Sequence, residues 1–142
     1  MLRGRFEAAG DLSPGELRSE YEAALVETIE SVGAAAVADR TGLDEATIRA
    51  LVDGESPELT LEEAAAILGT DDQYPDADAI EAEARDILLM GMSIAVLDVE
   101  AIAAGINDRL EPKEIQQKVE GRYPITLEEY AIIHSYIERE KR

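Results

Sequence analysis

Cysteine and tryptophan are absent from this chain of 142 residues, and phenylalanine occurs once. Without cysteine the chain can form neither disulfides nor cysteine-ligated zinc sites. Apolar residues nevertheless make up 46% of the chain, which argues against disorder, and 22 of them are alanine. The length fits one compact domain or two small ones, and we expect the core to consist of aliphatic side chains on closely packed helices.

Positive charge is scarce as well. The chain has 13 basic against 32 acidic residues, for a net charge of −19, and only three of the basic residues are lysine. This composition resembles that of salt-in proteins from haloarchaea, in which molar salt screens the self-repulsion of an acidic chain. The alternative is a mesophilic acidic protein that binds basic partners. We prefer the first interpretation, because a basic partner does not explain the scarcity of lysine.

Long hydrophobic runs are also missing. The longest apolar stretch, residues 87–97, is well short of the ~20 residues that a membrane span needs. The N-terminus lacks a signal pattern, so we expect a soluble cytoplasmic protein with no membrane partner. Residues 87–97 are apolar nearly all round a helix, which favours a core shared by the whole chain, although a dimer interface would explain them equally.

Helical periodicity dominates, and no segment alternates as a strand does. Capping residues such as Ser13 and Thr60, and glycines such as Gly33 and Gly42, predict eight helices and an all-α fold. The predicted organisation is an unassigned segment 1–12, a first unit 13–69, an acidic linker 70–76 and a second unit 77–142.

The second unit repeats the first. A shift of 63 positions places Leu17 on Ile80, and a shift of 67 places Gly54 on Gly121. A shift of 66 then places the TLEE sequence of residues 60–63 on the TLEE sequence of residues 126–129. Two tandem four-helix units that share one core are the predicted architecture.

Residues 32–69 resemble the Cro/repressor-type (lambda-repressor-like) helix-turn-helix domain. The matching features are Ala38 in the first helix, Gly42 at the turn, Ile48 in the second helix and Gly54 at its end. The duplication extends these structural positions to Ala101, Gly105, Ile115 and Gly121. The resemblance implies that the second helix enters the major groove and, because the motif usually reads paired half-sites, that the protein forms a homodimer. The whole chain also resembles uncharacterised acidic proteins of haloarchaea.

The distribution of charge makes the second unit the better candidate for DNA contact. Residues 1–97 carry a net charge of −16, whereas residues 98–142 carry −3. Arginine and lysine suit phosphates or guanine, and glutamine can read adenine. The candidate contacts are Arg109, Lys113, Gln116, Gln117, Lys118 and Arg122 in the second unit, and Thr47 and Arg49 in the first. A solvated helix face with Glu–Lys pairs is the alternative interpretation of the same residues.

No catalytic constellation is evident. We interpret His134, the one histidine, as structural, and the acidic residues of the linker lack the glycine and terminal glutamate of a calcium loop. The leading hypothesis is a non-enzymatic helix-turn-helix protein of a halophile that binds DNA or regulates transcription without a cofactor or metal. The alternative is an acidic helical interaction module that has lost DNA binding and engages a basic protein partner.

Overall fold

The computed structural model describes Leu2 and residues 4–141 and confirms an all-α fold, with no strand in this part of the chain. A 3-10 turn at Ala9–Asp11 precedes the first long helix. The helices are α1 (Pro14–Val32), α2 (Ala34–Thr41), α3 (Glu45–Val52), α4 (Leu61–Leu68), α5 (Ala77–Ala95), α6 (Val99–Gly105), α7 (Pro112–Val119) and α8 (Leu127–Glu140).

Local hydrogen bonds explain where these helices begin. Ser13, Thr60 and Thr126 each accept a bond from the backbone N–H three residues later, where a glutamate reaches back to the cap. Such reciprocal capping satisfies backbone donors that a helix N-terminus leaves without partners. Asp76 and Asp98 cap α5 and α6 through their carboxylates. The first and last helices of the two units therefore begin by closely related means, whereas α2, unlike α6, begins without a side-chain cap.

The units exchange partners across the molecule. α1 packs on α8, the last helix of the second unit, and α5 packs on α4, the last helix of the first unit. Since α1 corresponds to α5 and α4 to α8 in the repeat, the two contacts are equivalent. Within each unit the second and third helices also pack together, α2 on α3 and α6 on α7. The result is one interlocked bundle.

An isolated antiparallel β-bridge joins the two copies of the repeated TLEE sequence at Thr60 and Thr126. Leu61 N donates to Ile125 O over 2.7 Å, and Leu127 N donates to Leu59 O over 2.8 Å. The repeat makes these two bonds equivalent, because residues 59 and 61 of the first unit correspond to residues 125 and 127 of the second. The bridge is therefore self-complementary, as at the axis of a two-fold dimer, although both of its segments belong to one chain.

A single hydrophobic cluster includes side chains from the N-terminal segment to α8, as expected for units that share a core. It is mainly aliphatic, with Tyr21 and Tyr130 as its largest fully buried side chains. The segment before α1 also packs here, since Ser135 Oγ donates to Leu12 O over 2.7 Å. In the acidic linker Tyr74 packs against the core, and Arg40 donates to Thr70 O over 3.1 Å. The linker is thus tied to the bundle.

Candidate functional site

The structural positions of the first helix-turn-helix-like pair lie where the resemblance implies. Gly42 joins α2 to α3 in the left-handed conformation, at φ 76°. Ile48 is fully buried and Ala38 packs at the edge of the core. Gly54 follows α3 at φ 87°, a conformation that favours glycine.

The second pair departs from this pattern at its turn. Gly105 is the last residue of α6 and has no positive φ; Asn107 and Asp108 adopt the left-handed conformation instead, at φ 59° and 56°. A Cβ on Gly105 would overlap the ring of Tyr136. The expected role of Gly105 in a sharp turn is therefore wrong: it lets Tyr136 of α8 approach α6.

The register of α6 is also corrected. Ala101 was expected to match Ala38, but the fifth residue of its helix, as Ala38 is of α2, is Ala103, which is 2% exposed. Two additional residues in the connection before α6 account for the difference. Ile115 is fully buried in α7, and Gly121 follows that helix at φ 84°, so these two positions match their counterparts in the first unit.

Of the two first-unit candidates for DNA contact, Arg49 is paired with a carboxylate and Thr47 is partly buried. Both Nε and Nη2 of Arg49 donate to Oε2 of Glu45, over 2.8 and 2.5 Å, one turn away on α3. Thr47 is half-buried. Because Arg49 is the one basic residue of α3, the helix offers no unpaired cation to a phosphate.

In the second unit, carboxylates pair with most of the candidate cations. Lys118 Nζ contacts Oε2 of Glu129, and only 17% of its side chain is exposed. The remaining candidates divide into two paired arginines and three residues without an ion pair. Arg109 lies 3.6 Å from Glu128, Arg122 lies 3.4 Å from Glu120, Lys113 and Gln116 are exposed, and Gln117 is half-buried. Among the described residues, Lys113 is the one candidate cation without a carboxylate partner.

Two arginines outside the candidate set bind the ends of the motif-like helices. Arg85 donates to Lys118 O near the C-terminus of α7, where a positive charge complements the helix dipole. Arg18 donates to the carbonyls of Ser56 and Pro57 after α3, over 3.2 Å each. The sequence does contain a signal for this pair, since each arginine has a glutamate four residues away on its own helix.

His134 belongs to a buried aromatic cluster. The Tyr21 hydroxyl lies 2.5 Å from Nδ1 of His134, and the Tyr130 ring meets the imidazole edge-on. Burial, with neighbouring positive charge including Lys141, lowers the pKa of His134 from 6.5 to about 3. An imidazole with so low a pKa is a weak general base at neutral pH, which agrees with a structural role.

The outer face of α5 is more exposed than that of a core helix. Residues 87–97 were expected in a shared core or, equally, in a dimer interface, and the C-terminal half of α5 with its C-cap Val96 exposes several of them. Leu89 is 43% exposed, Met90 45%, Ile94 61% and Val96 89%. We call Leu89, Met90, Ser93, Ile94 and Val96 the α5 patch. It is an apolar surface in a chain whose net charge is −19.

The chain matches the family of unknown function DUF5791 over residues 17–140. It belongs to that family. The matched range of DUF5791 runs from the first turn of α1 to the end of α8, so it includes both units and the α5 patch. No curated protein and no solved structure matches the chain.

Two further properties of this DUF5791 protein bear on its chemistry. Within Leu2 and residues 4–141, no three His, Asp or Glu side chains gather as a metal site requires. In the same part of the chain no single helix has the length and apolar character of a membrane span; α5 and α6 pass that test only together, across a 92° bend.

Proposed function

We propose that this protein is a non-enzymatic helical interaction module, built on a duplicated helix-turn-helix-like scaffold, that contacts other proteins rather than DNA. One observation carries the proposal: carboxylates pair with the candidate DNA-contacting cations except Lys113. The α5 patch adds support, because large exposed apolar patches are typical of surfaces that meet another protein.

The electrostatic reasoning follows from the source of DNA affinity. Lysine and arginine bind phosphates by displacing counterions, and this contribution falls steeply as salt rises. A cation that is already paired with a carboxylate gains less binding free energy when it moves to a phosphate. The carboxylate that it leaves then faces the negatively charged DNA without a partner. At a net charge of −19, long-range attraction to DNA is absent as well.

Filter binding of random double-stranded DNA, from about 0.2 M to about 3 M KCl, tests the proposal. A basic helical peptide with one leucine face and one lysine face serves as the protein-like probe. We expect retention of the peptide and none of the DNA. Retention of DNA that Lys113→Ala abolishes would contradict the proposal. Retention of neither probe by a strictly monomeric protein would count against any interaction role.

Glu45→Gln sharpens the DNA assay, since it releases Arg49 from its partner. Glu30→Gln, which neutralises an exposed acid on α1, is the matched control for the change in net charge. If pairing is what prevents DNA contact, Glu45→Gln raises DNA retention above that of Glu30→Gln. Equal retention by the two variants would show that pairing of Arg49 is irrelevant.

DNA binding through α7 is the second candidate function, and the open position of that helix favours it. α7 packs on α5 and α6, and Lys113 and Gln116 are exposed on it. The repeat also makes α3 and α7 equivalent, as recognition helices are in dimeric helix-turn-helix proteins. This candidate predicts that Lys113→Ala and Gln116→Ala weaken DNA retention, whereas Lys141→Ala, just after α8, does not.

A further inference from the structure

The α5 patch combines exposure with a complete absence of charge. Residues 87–97 contain no Asp, Glu, Lys or Arg, although charged residues make up 32% of the chain. Its four exposed aliphatic side chains present roughly 400 Å² of apolar surface, within the ~300–600 Å² of the largest patch on a typical monomer, which is often a functional surface. A surface of this kind loses its contact with water when another protein covers it.

We propose that a second copy of this chain covers the α5 patch, with α5 packed antiparallel on α5 about a two-fold axis near Ser93. This inference rests on the proposed function and names the partner for one surface. It makes the protein a dimer of bundles that are themselves internally two-fold.

Residue spacing on α5 fits helix pairing. Leu89 and Ser93 lie one turn apart and form a ridge along the helix, and Val96, the residue that follows α5, extends the apolar surface past its end. The small Ser93 at the centre of this surface is exposed and allows a second backbone to approach closely. Met90 and Ile94 lie beside this ridge and widen the contact.

A depression next to the ridge provides a complementary shape. It has a volume of about 280 Å³ and is lined mainly by the apolar side chains of Leu89, Met92, Val99 and Val119. In an antiparallel pair about Ser93, the exposed side chains of one copy face the depression of the other. The same patch therefore supplies both the projecting and the receiving surface, which a two-fold interface requires.

Charge favours a second copy over a basic partner. The five residues of the patch contain no carboxylate with which a lysine or arginine could pair, and another α5 presents an equally uncharged surface. Two carboxylates of the neighbouring depression, those of Asp98 and Glu120, are already bound to the N-terminus of α6 and to Arg122. The exposed side chains of the patch, roughly 400 Å², are about half of the ~800 Å² per partner of a standard interface, which fits a weak and reversible dimer. Carboxylates elsewhere on two copies repel each other, so association strengthens as salt screens them.

Sedimentation equilibrium in low and in molar KCl tests the inference. We expect a monomer–dimer equilibrium that shifts toward dimer as KCl rises. Leu89→Ser and Ile94→Ser each weaken the dimer more than about tenfold, because each is removed twice from a two-fold interface. Val52→Ser is the matched control: Val52 is 40% exposed on α3, and its replacement leaves the dimer unchanged.

Val96→Gly separates association from folding. Val96 has φ 55°, a left-handed conformation that strains a β-branched residue and suits glycine. The variant therefore weakens the dimer while its thermal unfolding temperature is maintained or raised. If unfolding temperature and dimerisation fall together, the patch is part of the fold of one chain and the inference is wrong.

The absence of cysteine allows a direct test of the geometry. Ser93→Cys, treated with oxidised glutathione, yields disulfide-linked dimers because the two sulfurs lie at the axis. Ser19→Cys, at an exposed position on α1, yields no disulfide-linked dimer. Absence of cross-linking at position 93, or a dimer insensitive to Leu89→Ser, overturns the inference.

The two proposals fail in different ways. A monomer that retains the basic peptide overturns dimerisation and leaves the interaction function standing. A dimer through the α5 patch that also binds DNA through Lys113 overturns the function and leaves the inference standing.

Discussion

Lowering the pH from about 7 to about 5 should weaken the fold through His134. In the unfolded chain an imidazole takes up a proton near pH 6.5, whereas in the folded protein the pKa of His134 is about 3. Between these values the unfolded state binds more protons, so the free energy of unfolding decreases as the pH falls. From pH 7 to pH 5 the loss is about 2 kcal/mol. Any folded pKa below about 4 gives nearly the same figure.

The double variant His134→Leu/Tyr21→Phe isolates this contribution. Leucine stands at the equivalent position of the first unit, residue 68, and phenylalanine removes the hydroxyl that would otherwise be left without its partner. The variant keeps every carboxylate, so acid titration and charge repulsion change equally in both proteins. Between pH 7 and pH 5 the wild type should therefore lose about 2 kcal/mol more of its free energy of unfolding than the variant loses.

Urea unfolding followed by far-UV circular dichroism, at constant molar KCl, measures this difference at each pH. Tyr21→Phe alone provides a second comparison, because it leaves Nδ1 of His134 buried without its bond and should cost about 1–3 kcal/mol at neutral pH. A difference between wild type and double variant that is the same at pH 7 and pH 5 would refute the reasoning.

Three other outcomes follow from the packing and charge of the bundle. Gly10→Ala should destabilise by about 1–3 kcal/mol, since its Cβ would lie 2.9 Å from Arg139 N, whereas Gly15→Ala, with open space, should be neutral or stabilising by up to about 1 kcal/mol. Urea midpoints compare the two. Arg18→Leu should cost about 3 kcal/mol by leaving the carboxylate of Glu22 buried, and Arg18→Leu/Glu22→Leu should regain most of it in the same assay; no recovery would contradict this account. Dilution from about 3 M to about 0.05 M KCl should reduce the far-UV helical signal, and an unchanged spectrum would argue against a salt-adapted protein.

The helices were predictable because their ends carry strong local signals. The hydroxyl caps of α1, α4 and α8 and the glycines after α1, α2 and α3 act through neighbouring backbone groups, which sequence spacing specifies directly. The connection between α6 and α7 was predicted less well. There Asn107 and Asp108 make the turn that glycine makes in the first unit, and tolerance of the left-handed conformation by such residues is a weak signal.

Contacts between distant segments lay beyond local patterns. The apolar run 87–97 indicates burial, but which side of α5 its neighbours leave open depends on how α4, α7 and α8 pack. In the same way, Lys118 looks available on α7 until Glu129 of α8 is placed beside it. The sequence shows which side chains at these sites are apolar or charged, whereas the neighbour that each side chain contacts depends on the tertiary fold.

The exchange of helices between the units has a consequence for synthesis of the chain. Tyr21 on α1 meets His134 on α8, 113 residues later, so the first long helix cannot complete its core until the last one has been made. Contacts between such distant residues are slow to form. We therefore expect a nascent chain that ends before α8 to keep the apolar face of α1 open to chaperones and proteases, and a prematurely terminated chain to be removed.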